Sequence, residues 1–563
     1  MIITPINAIA NVLFMQFIIN AVSNGYTFSN VMVLIIQFLS VLIGVTFINN
    51  IYEWYAEPIL TRIRQHINIR IYNKAFKTDY QYFDNPEFYN NYTWAVNEFV
   101  GKSEQASRLL INIFSALVVS VSMITLIIVL GPWIIAMTLF MLVFGTVVEI
   151  KRNKLVVSKQ EQMIPPERKL GYVHRVAYQR EYVADVKSTK LRDYLLNLFS
   201  ASTDEKIGII KKFRNPILAW YFSHNVVAIL YNAGIMAYIT YSIIVTGRIV
   251  GVGLFAGLVA ANAQLYASLS SFFGFFTQVK ELGLYVDRIK PFFEAHSPIE
   301  TNEGRMGKSI IESVKPFEVQ FKNVSFSYTN SNFALNNISF HIASGERVAI
   351  VGENGVGKTT LLKLLLRLYD VTDGEIIING LPIAQYDVHS LRNNVGIAFQ
   401  SPNVYALPFV DNLKLYGATN ETKIREIIDS VNMRSILSKS NADIFSEVTR
   451  EFSEQGIMLS VGEIQKLGLA RILVQEFGLL LLDEPSSALD PIAEYELMKM
   501  VYTRSTLTTS ITVAHRLSTI RDSDRIYVMG NGTIVEEGTH DELMQYKGKY
   551  FEMFTLQSEN YVR

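Results

Sequence analysis

Cysteine is absent from the 563 residues, which at one step excludes disulfide frameworks, iron–sulfur clusters, thiolate zinc sites and cysteine nucleophiles. A basic excess is also missing. Lys plus Arg and Asp plus Glu number 51 each, so the charge balance gives no reason to expect a nucleic-acid partner. Charge of either sign is scarce, 18% of residues against a typical ~25%, and the mean hydropathy is +0.21. No Lys or Arg precedes Arg62, so the apolar start is not a secretory signal, which needs a basic segment ahead of its apolar stretch.

What is there instead is long uncharged sequence. Met1–Tyr52, Leu109–Val148, Asn215–Gly247 and Ile249–Val279, 31 to 52 residues each, hold no Asp, Glu, Lys or Arg. A membrane-spanning helix takes ~20 residues. The first two stretches therefore predict two spans each, around turns at Ser23-Asn24-Gly25 and Gly131-Pro132, and the last two predict one each. Glu53–Arg108 and Glu149–Arg214 carry 7 and 15 Lys/Arg, whereas the turns on the other side carry only Arg248. The heavy segments are thus expected on the cytoplasmic side of the cell membrane. Ile63, Ile67, Ile71 and Ala75 keep a four-residue step, so the spans are expected to continue into the cytoplasm as long helices, with breaks at Asp84-Asn85-Pro86 and around Ile164-Pro165-Pro166. The expected fold class is a membrane all-α domain with six transmembrane helices (1–295), a polar linker (296–315) and an α/β P-loop nucleotide-binding domain (316–563), because from Phe317 short β-rich runs alternate with helical ones.

Two motifs carry chemistry. Gly352-Glu353-Asn354-Gly355-Val356-Gly357-Lys358-Thr359 follows an expected strand, Arg347–Val351, and opens an expected helix, the setting of a phosphate-binding loop. Its glycines let backbone N–H groups turn towards a phosphate, Lys358 reaches the β- and γ-phosphates, and the Thr359 hydroxyl is a Mg²⁺ ligand. Gly352, Asn354, Gly355, Gly357, Lys358, Thr359 and Thr360 are the expected ATP contacts here. Leu479 to Leu482 read as a strand buried on both faces that ends in Asp483 and Glu484. Asp483 would hold Mg²⁺ through water, and Glu484 would act as general base on the attacking water. Two acids at a solvated strand end are the blander alternative.

With these motifs the chain resembles ATP-binding cassette transporters of the exporter type, half-transporters in which six spans are fused to one nucleotide-binding domain. Leu459-Ser460-Val461-Gly462-Glu463, followed by Gln465, Lys466 and Leu469-Ala470-Arg471, looks like the family signature. The resemblance implies that Tyr328 stacks on adenine, that Gln400 couples Mg²⁺ and the water to the membrane domain, and that Ser487-Ala488-Leu489-Asp490 is a dimer-contact loop. It further implies that His515 meets the γ-phosphate and that Ser460, Gly462 and the helix start at Glu463 complete the site of a second half-transporter, most simply a homodimer. Val461 and Glu463 depart from the family's usual Gly and Gln. Glu463 is expected to set a negative charge facing the nucleotide and to weaken ATP-driven closure. Phe83-Asp84-Asn85-Pro86 and the region Glu181–Lys190 resemble the two turns that meet the nucleotide domains.

The implied activity is ATP-driven export by alternating access. The cargo reads as a peptide or amphipathic small molecule; a lipid flippase, or a membrane-tethered regulatory ATPase that moves nothing, is the alternative. Without Cys the chain cannot trim a peptide leader as thiol-protease exporters do. In the fifth span His224, Tyr231, Asn232 and Tyr238, with Asn225 and Ser242, share one helical arc, and Asn262, Tyr266 and Ser270 in the sixth span recur at helical spacing. These two stripes are expected to line the cargo cavity, in contact with substrate and surrounded by membrane lipid; the alternative is that they merely hydrogen-bond to neighbouring helices.

Overall fold

A computed structural model describes residues 3–127, 132–246, 252–300, 309–311, 314–328, 333–417, 419–439, 442–486, 488–504, 508–514 and 516–562. Gly131, Arg248, Ser487 and His515, each singled out above, lie outside them. The chain forms two compact units, one of Met1–Ala75 with Asn90–Glu294, the other of Phe76–Tyr89 with Ala295–Arg563.

The first unit is helical: α1 (Ile3–Ser23), α2 (Phe28–Phe76), α3 (Pro86–Ile127), α4 (Pro132–Tyr178), the short α5 (Arg180–Ser188), α6 (Leu191–Thr246) and α7 (Val252–Glu294). With 56 residues, α6 is about 84 Å long at 1.5 Å per residue, far beyond a bilayer's hydrocarbon. Among the described residues α1, α2, α3 and α7 are long and apolar enough to cross a membrane. The other two long helices, α4 and α6, contain the uncharged segments 132–148 and 215–246. One core joins Ala8 and Val12 of α1, Val119, Met123 and Ile127 of α3, Met141 of α4, Tyr231 and Ile235 of α6, and Leu258, Ala261 and Leu265 of α7. Close passage of α7 against α1 depends on Gly253 and Gly257, the small-x-x-x-small spacing of membrane helix contacts. A Cβ on Gly253 would overlap Asn20 and the Gln16 carbonyl, and one on Gly257 would lie 2.9 Å from Gln16 Cβ.

One expectation fails here. The chain does not break at Pro165-Pro166: α4 runs through both and ends only at Tyr178, where Gln179 turns to φ −74°, ψ 129°. Each proline removes a backbone donor and crowds the preceding turn. The helix nevertheless continues because α6 packs alongside it, with Lys206–Glu167 and Lys169–Glu205 contacts of 2.9 Å each and Lys212 Nζ donating to Gln162 Oε1 at 3.1 Å on either side of the prolines. The break at Asp84-Asn85-Pro86 is present as a 3₁₀ turn, Tyr80–Asp84, with Pro86 opening α3.

The second unit contains two sheets. Strands β1 (Val319–Phe326), β2 (Leu335–Ile342), β4 (Asp373–Ile378) and β5 (Leu381–Pro382) form an antiparallel sheet in the order β2-β1-β4-β5. Strands β3 (Arg347–Gly352), β6 (Val395–Ala398), β7 (Leu479–Asp483), β8 (Thr509–Val513), β9 (Arg525–Gly530) and β10 (Thr533–Gly538) form the other, ordered β10-β9-β3-β8-β7-β6. It is parallel except at the β10 edge. Every residue of β7 is buried, as are Val348–Gly352 of β3, which is why those runs are continuously apolar instead of alternating.

The turn at 76–89 belongs to this unit and is pinned to it. The Asp79 carboxylate accepts the backbone N–H of Glu300 at 2.9 Å and of Ile299 at 3.4 Å, while its own N–H is donated to Ser297 Oγ at 3.2 Å. Glu300 in turn pairs with Arg392 at 2.7 Å. Burial pushes the Asp79 carboxyl up, against the two N–H donors that favour its charged form. Asp79→Ala leaves those donors without their acceptor, at a cost of about 1–3 kcal/mol. A lowered thermal unfolding midpoint of the solubilised full chain is the expected result, and an unchanged midpoint would show that the tie contributes nothing.

Candidate functional site

At the carboxyl ends of β3 and β7 the sheet gathers the chemistry-bearing residues, the position where parallel sheets bind ligands. After β3 the chain turns through Gly352, Gly355 and Gly357, at φ 150°, 82° and 101°, into α8 (Lys358–Leu365). Side chains are excluded at two of these positions: a Cβ on Gly352 would lie 2.5 Å from the Met529 carbonyl oxygen, and one on Gly357 2.6 Å from that of Ala334. Lys358 is 6% exposed. Its ammonium donates to the carbonyls of Gly352 at 2.7 Å and Glu353 at 2.9 Å, so it arches back over the loop that would hold a phosphate. Burial pulls this ammonium below its usual range, and the carboxylates of Glu484 and Asp483 oppose that.

Asp483 is 4% exposed and accepts from Thr359 Oγ1 at 3.3 Å; burial raises its pKa, the Thr359 hydrogen bond working the other way. Glu484 has φ 47°, a left-handed conformation uncommon outside glycine. Its N–H is donated to Val513 O at 3.0 Å and its Oε2 accepts from Gln400 Nε2 at 2.7 Å. A carboxylate held by an amide at the rim of a phosphate-sized cradle can take a proton from water. The oxygens of Thr359, Asp483 and Gln400 are hard donors of the kind Mg²⁺ prefers. Tyr328 stands next to the cradle, 46% exposed, with its hydroxyl 3.0 Å from Thr360 Oγ1. Asn354 and Gly355 are exposed at the rim of the loop.

The signature residues form a separate group. Ser460 caps the helix Val461–Ile472, its Oγ accepting the Glu463 N–H at 3.4 Å while Glu463 Oε2 accepts the Ser460 N–H at 2.7 Å. This is a capping box. The carboxylate turns back onto its own helix end, a role that the Ser-x-x-Glu spacing itself signals, and its charge stays at that end. Among the described residues no hydrogen bond joins Ser460, Gly462 or Glu463 to the phosphate loop. The link runs through Gln465, 3% exposed, which donates to Gln400 O at 3.3 Å and accepts from the Ala488 N–H at 2.8 Å.

A further pair escaped the sequence reading. Arg516 contacts the buried Glu494 and the Leu489 carbonyl, and Glu494 also accepts from Ser486 Oγ at 2.7 Å. This network ties the segment after Glu484 to the segment beside residue 515. Only its spatial closeness marks it, since the partners are 22 residues apart.

In the helical unit the two stripes divide. Tyr231 is 6% and Asn262 3% exposed. The Tyr231 hydroxyl donates to Asn262 Oδ1 at 2.8 Å and lies 2.8 Å from Thr138 Oγ1, so these residues are helix contacts; their expected place on a water-filled wall is corrected. Asn232 donates to its own helix at Ala228 O, 2.9 Å away, and Tyr238 packs against the core. His224 and Tyr266, 2.8 Å apart, do line a cavity of about 320 Å³ with Asn225, Ser270, Glu149 and Arg152. A neighbouring cavity of about 650 Å³ shares Glu149, Arg152 and Tyr221 and adds Lys159, Arg214 and Gln278.

Comparison with known proteins agrees with this geometry. The family model for the ABC transporter matches residues 335–487. The subtilin transport ATP-binding protein SpaT of Bacillus subtilis is 30% identical over 100% of this chain and 91% of its own length. The ATP-dependent lipid A-core flippase of Escherichia coli is 34% identical over 45% of this chain and 43% of its own. The mitochondrial iron–sulfur clusters transporter ATM1 of Candida glabrata is 36% identical over 45% of this chain and 35% of its own. A solved bacterial Atm1-family ABC exporter with ATP bound shares the fold, with a TM-score of 0.81 at 23% identity over 99% of this chain and 97% of that one. An apolar helical unit, a phosphate loop facing a buried carboxylate, and a full-length relative together identify the chain as a member of the ATP-binding cassette exporters, an ATP-driven half-transporter that fuses its membrane helices to its own ATP-binding domain.

Proposed function

We propose that this chain, as a homodimer in the cell membrane with its nucleotide domain in the cytoplasm, exports a peptide by alternating access. Residues 1–295 form the membrane domain, 296–315 the linker and 316–563 the ATPase. The observation that carries the choice of cargo is coverage: similarity to the subtilin transporter extends through the membrane helices, whereas the flippase and iron–sulfur relatives match over 45% of the chain. Dimerisation is supported by α2, whose Phe28, Ile36, Ile43 and Phe47 are exposed and need lipid or a second copy against them.

In this reading Lys358 leaves the Gly352 and Glu353 carbonyls for the phosphates, which compensate its buried charge better than two neutral acceptors do. Thr359, Asp483 and Gln400 would hold Mg²⁺, which when bound neutralises phosphate charge. Gln400 orients Glu484, and Glu484 accepts the proton of the attacking water. Tyr328 stacks on the base, His515 meets the γ-phosphate, and Ser460 with Gly462 completes the site of the opposite subunit. The capping box leaves the Glu463 charge at the helix end that must approach that phosphate, a brake on closure.

Glu484→Gln should bind MgATP, hydrolyse it ~10²–10⁴-fold more slowly and accumulate as a closed dimer on size exclusion; undiminished turnover would remove Glu484 as base. Lys358→Ala should lose ATP affinity at least about tenfold, and unchanged binding would argue against the loop as phosphate cradle.

For cargo, the combined lining of the two cavities, with Glu149, Arg152, Lys159, Arg214, Tyr221, His224 and Tyr266, replaces the buried part of the stripe. It pairs cations and hydrogen-bonding rings with the apolar Val156, Ile210, Ile217 and Leu218, as suits a peptide with both polar and apolar faces. With purified subtilin as probe, His224→Ala and Arg214→Ala should lower stimulation of ATPase several-fold and leave basal turnover intact. Loss on Tyr231→Phe instead, with both cavity variants unaffected, would return the cargo contact to the Tyr231–Asn262 pair.

A further inference from the structure

The nucleotide unit contains an ammonium that meets the hydrolytic site only through space, as a minor charge favouring ionised Asp483. Lys363 lies on α8, the helix whose first residues cradle the phosphates, one turn beyond Thr360. Its ammonium sits among three aromatic rings, 5.6 Å from the centroid of Tyr328, 5.7 Å from Tyr80 and 5.8 Å from Tyr369, within the reach of a cation–π attraction. The rings also meet one another. Tyr369 stands edge-on to Tyr328 at 5.3 Å and to Tyr80 at 5.5 Å, and its hydroxyl donates to the Asp84 carboxylate.

Two of these rings belong to different tasks. Tyr328 adjoins the cradle through Thr360 and is exposed for a base to lie on. Tyr80 opens the 3₁₀ turn Tyr80–Asp84, the segment between α2 and α3 that the second unit holds. A ring fixed by a stacked purine no longer rocks, and an ammonium attracted to that ring is then confined with it. Confinement at Lys363 would then reach Tyr80 through the same contacts, because ordering one member lowers the entropy cost of ordering the next.

We propose that Lys363 is a positioning residue that transmits occupancy of the base site at Tyr328 to the turn Tyr80–Asp84. The coupling rests on the nucleotide-site reading above, and it responds to the base, not to the phosphates. Lys358 and Thr359 would sense pyrophosphate alone; Lys363 would not. The ammonium is required and its exact shape is not, since a guanidinium also lies well over aromatic faces.

The test is hydrogen–deuterium exchange of the full-length chain in nanodiscs, followed on peptides covering 76–89, with MgADP or magnesium pyrophosphate at saturation. MgADP should slow exchange in this turn by at least about threefold, and pyrophosphate should not. Lys363→Met should abolish the slowing while MgADP affinity, read by calorimetry, stays within about threefold of wild type; Lys363→Arg should restore it. Tyr80→Leu should act like Lys363→Met, and Tyr80→Phe like wild type. Slowing that persists in Lys363→Met, or that pyrophosphate produces equally, overturns the proposal. Failure of wild type to bind MgADP at all would instead count against the nucleotide site itself.

Discussion

The arrangement of the nucleotide unit depends on one costly element, an ammonium buried beside two carboxylates. Lys358 is nearly inaccessible, and burial alone would favour its neutral form. Asp483 and Glu484 keep the charge in place, and they can do so because β3 and β7 flank β8 in a parallel sheet and end at the same edge. That edge requires strands apolar on both faces, hence Leu479–Leu482, and a loop whose backbone turns where side chains cannot follow, hence Gly352 and Gly357. The site is thus a cation held in a backbone cradle by its own carboxylates, whose negative charge is the kind that Mg²⁺ offsets.

The same reasoning sets the limits of what the sequence discloses. The phosphate loop and the β7 carboxylates are legible because glycine spacing and an unbroken apolar run are local consequences of local geometry. Long helices are legible for the same reason. Pro165-Pro166 misled because a helix's fate at proline is decided by what packs beside it, here α6, and the sequence of α4 carries no record of that neighbour. Tyr231 and Asn262 misled in the same way: helical periodicity places them on one arc but cannot say whether the arc faces water or another helix.

Glu463 is a different case. Its spacing from Ser460 spelled out a capping box, and the resemblance to a neutral amide position drew attention away from that simpler local chemistry. In the structure the two descriptions meet: the carboxylate stabilises its own helix end and keeps a negative charge there. Asp79, by contrast, had no sequence signature. Its partners, Ser297, Ile299 and Glu300, lie more than two hundred residues away, so only the folded chain reveals that the turn after α2 and the segment after α7 share one set of hydrogen bonds.

The central claim is that ATP hydrolysis at this site moves a peptide across the membrane. The direct measurement is accumulation of labelled subtilin inside proteoliposomes whose outward-facing nucleotide domains are supplied with MgATP, compared for wild type and Glu484→Gln. ATP-dependent accumulation by wild type that disappears in the variant is the predicted result. Wild-type ATP hydrolysis, lost in the variant, with no peptide accumulation in either would contradict the account.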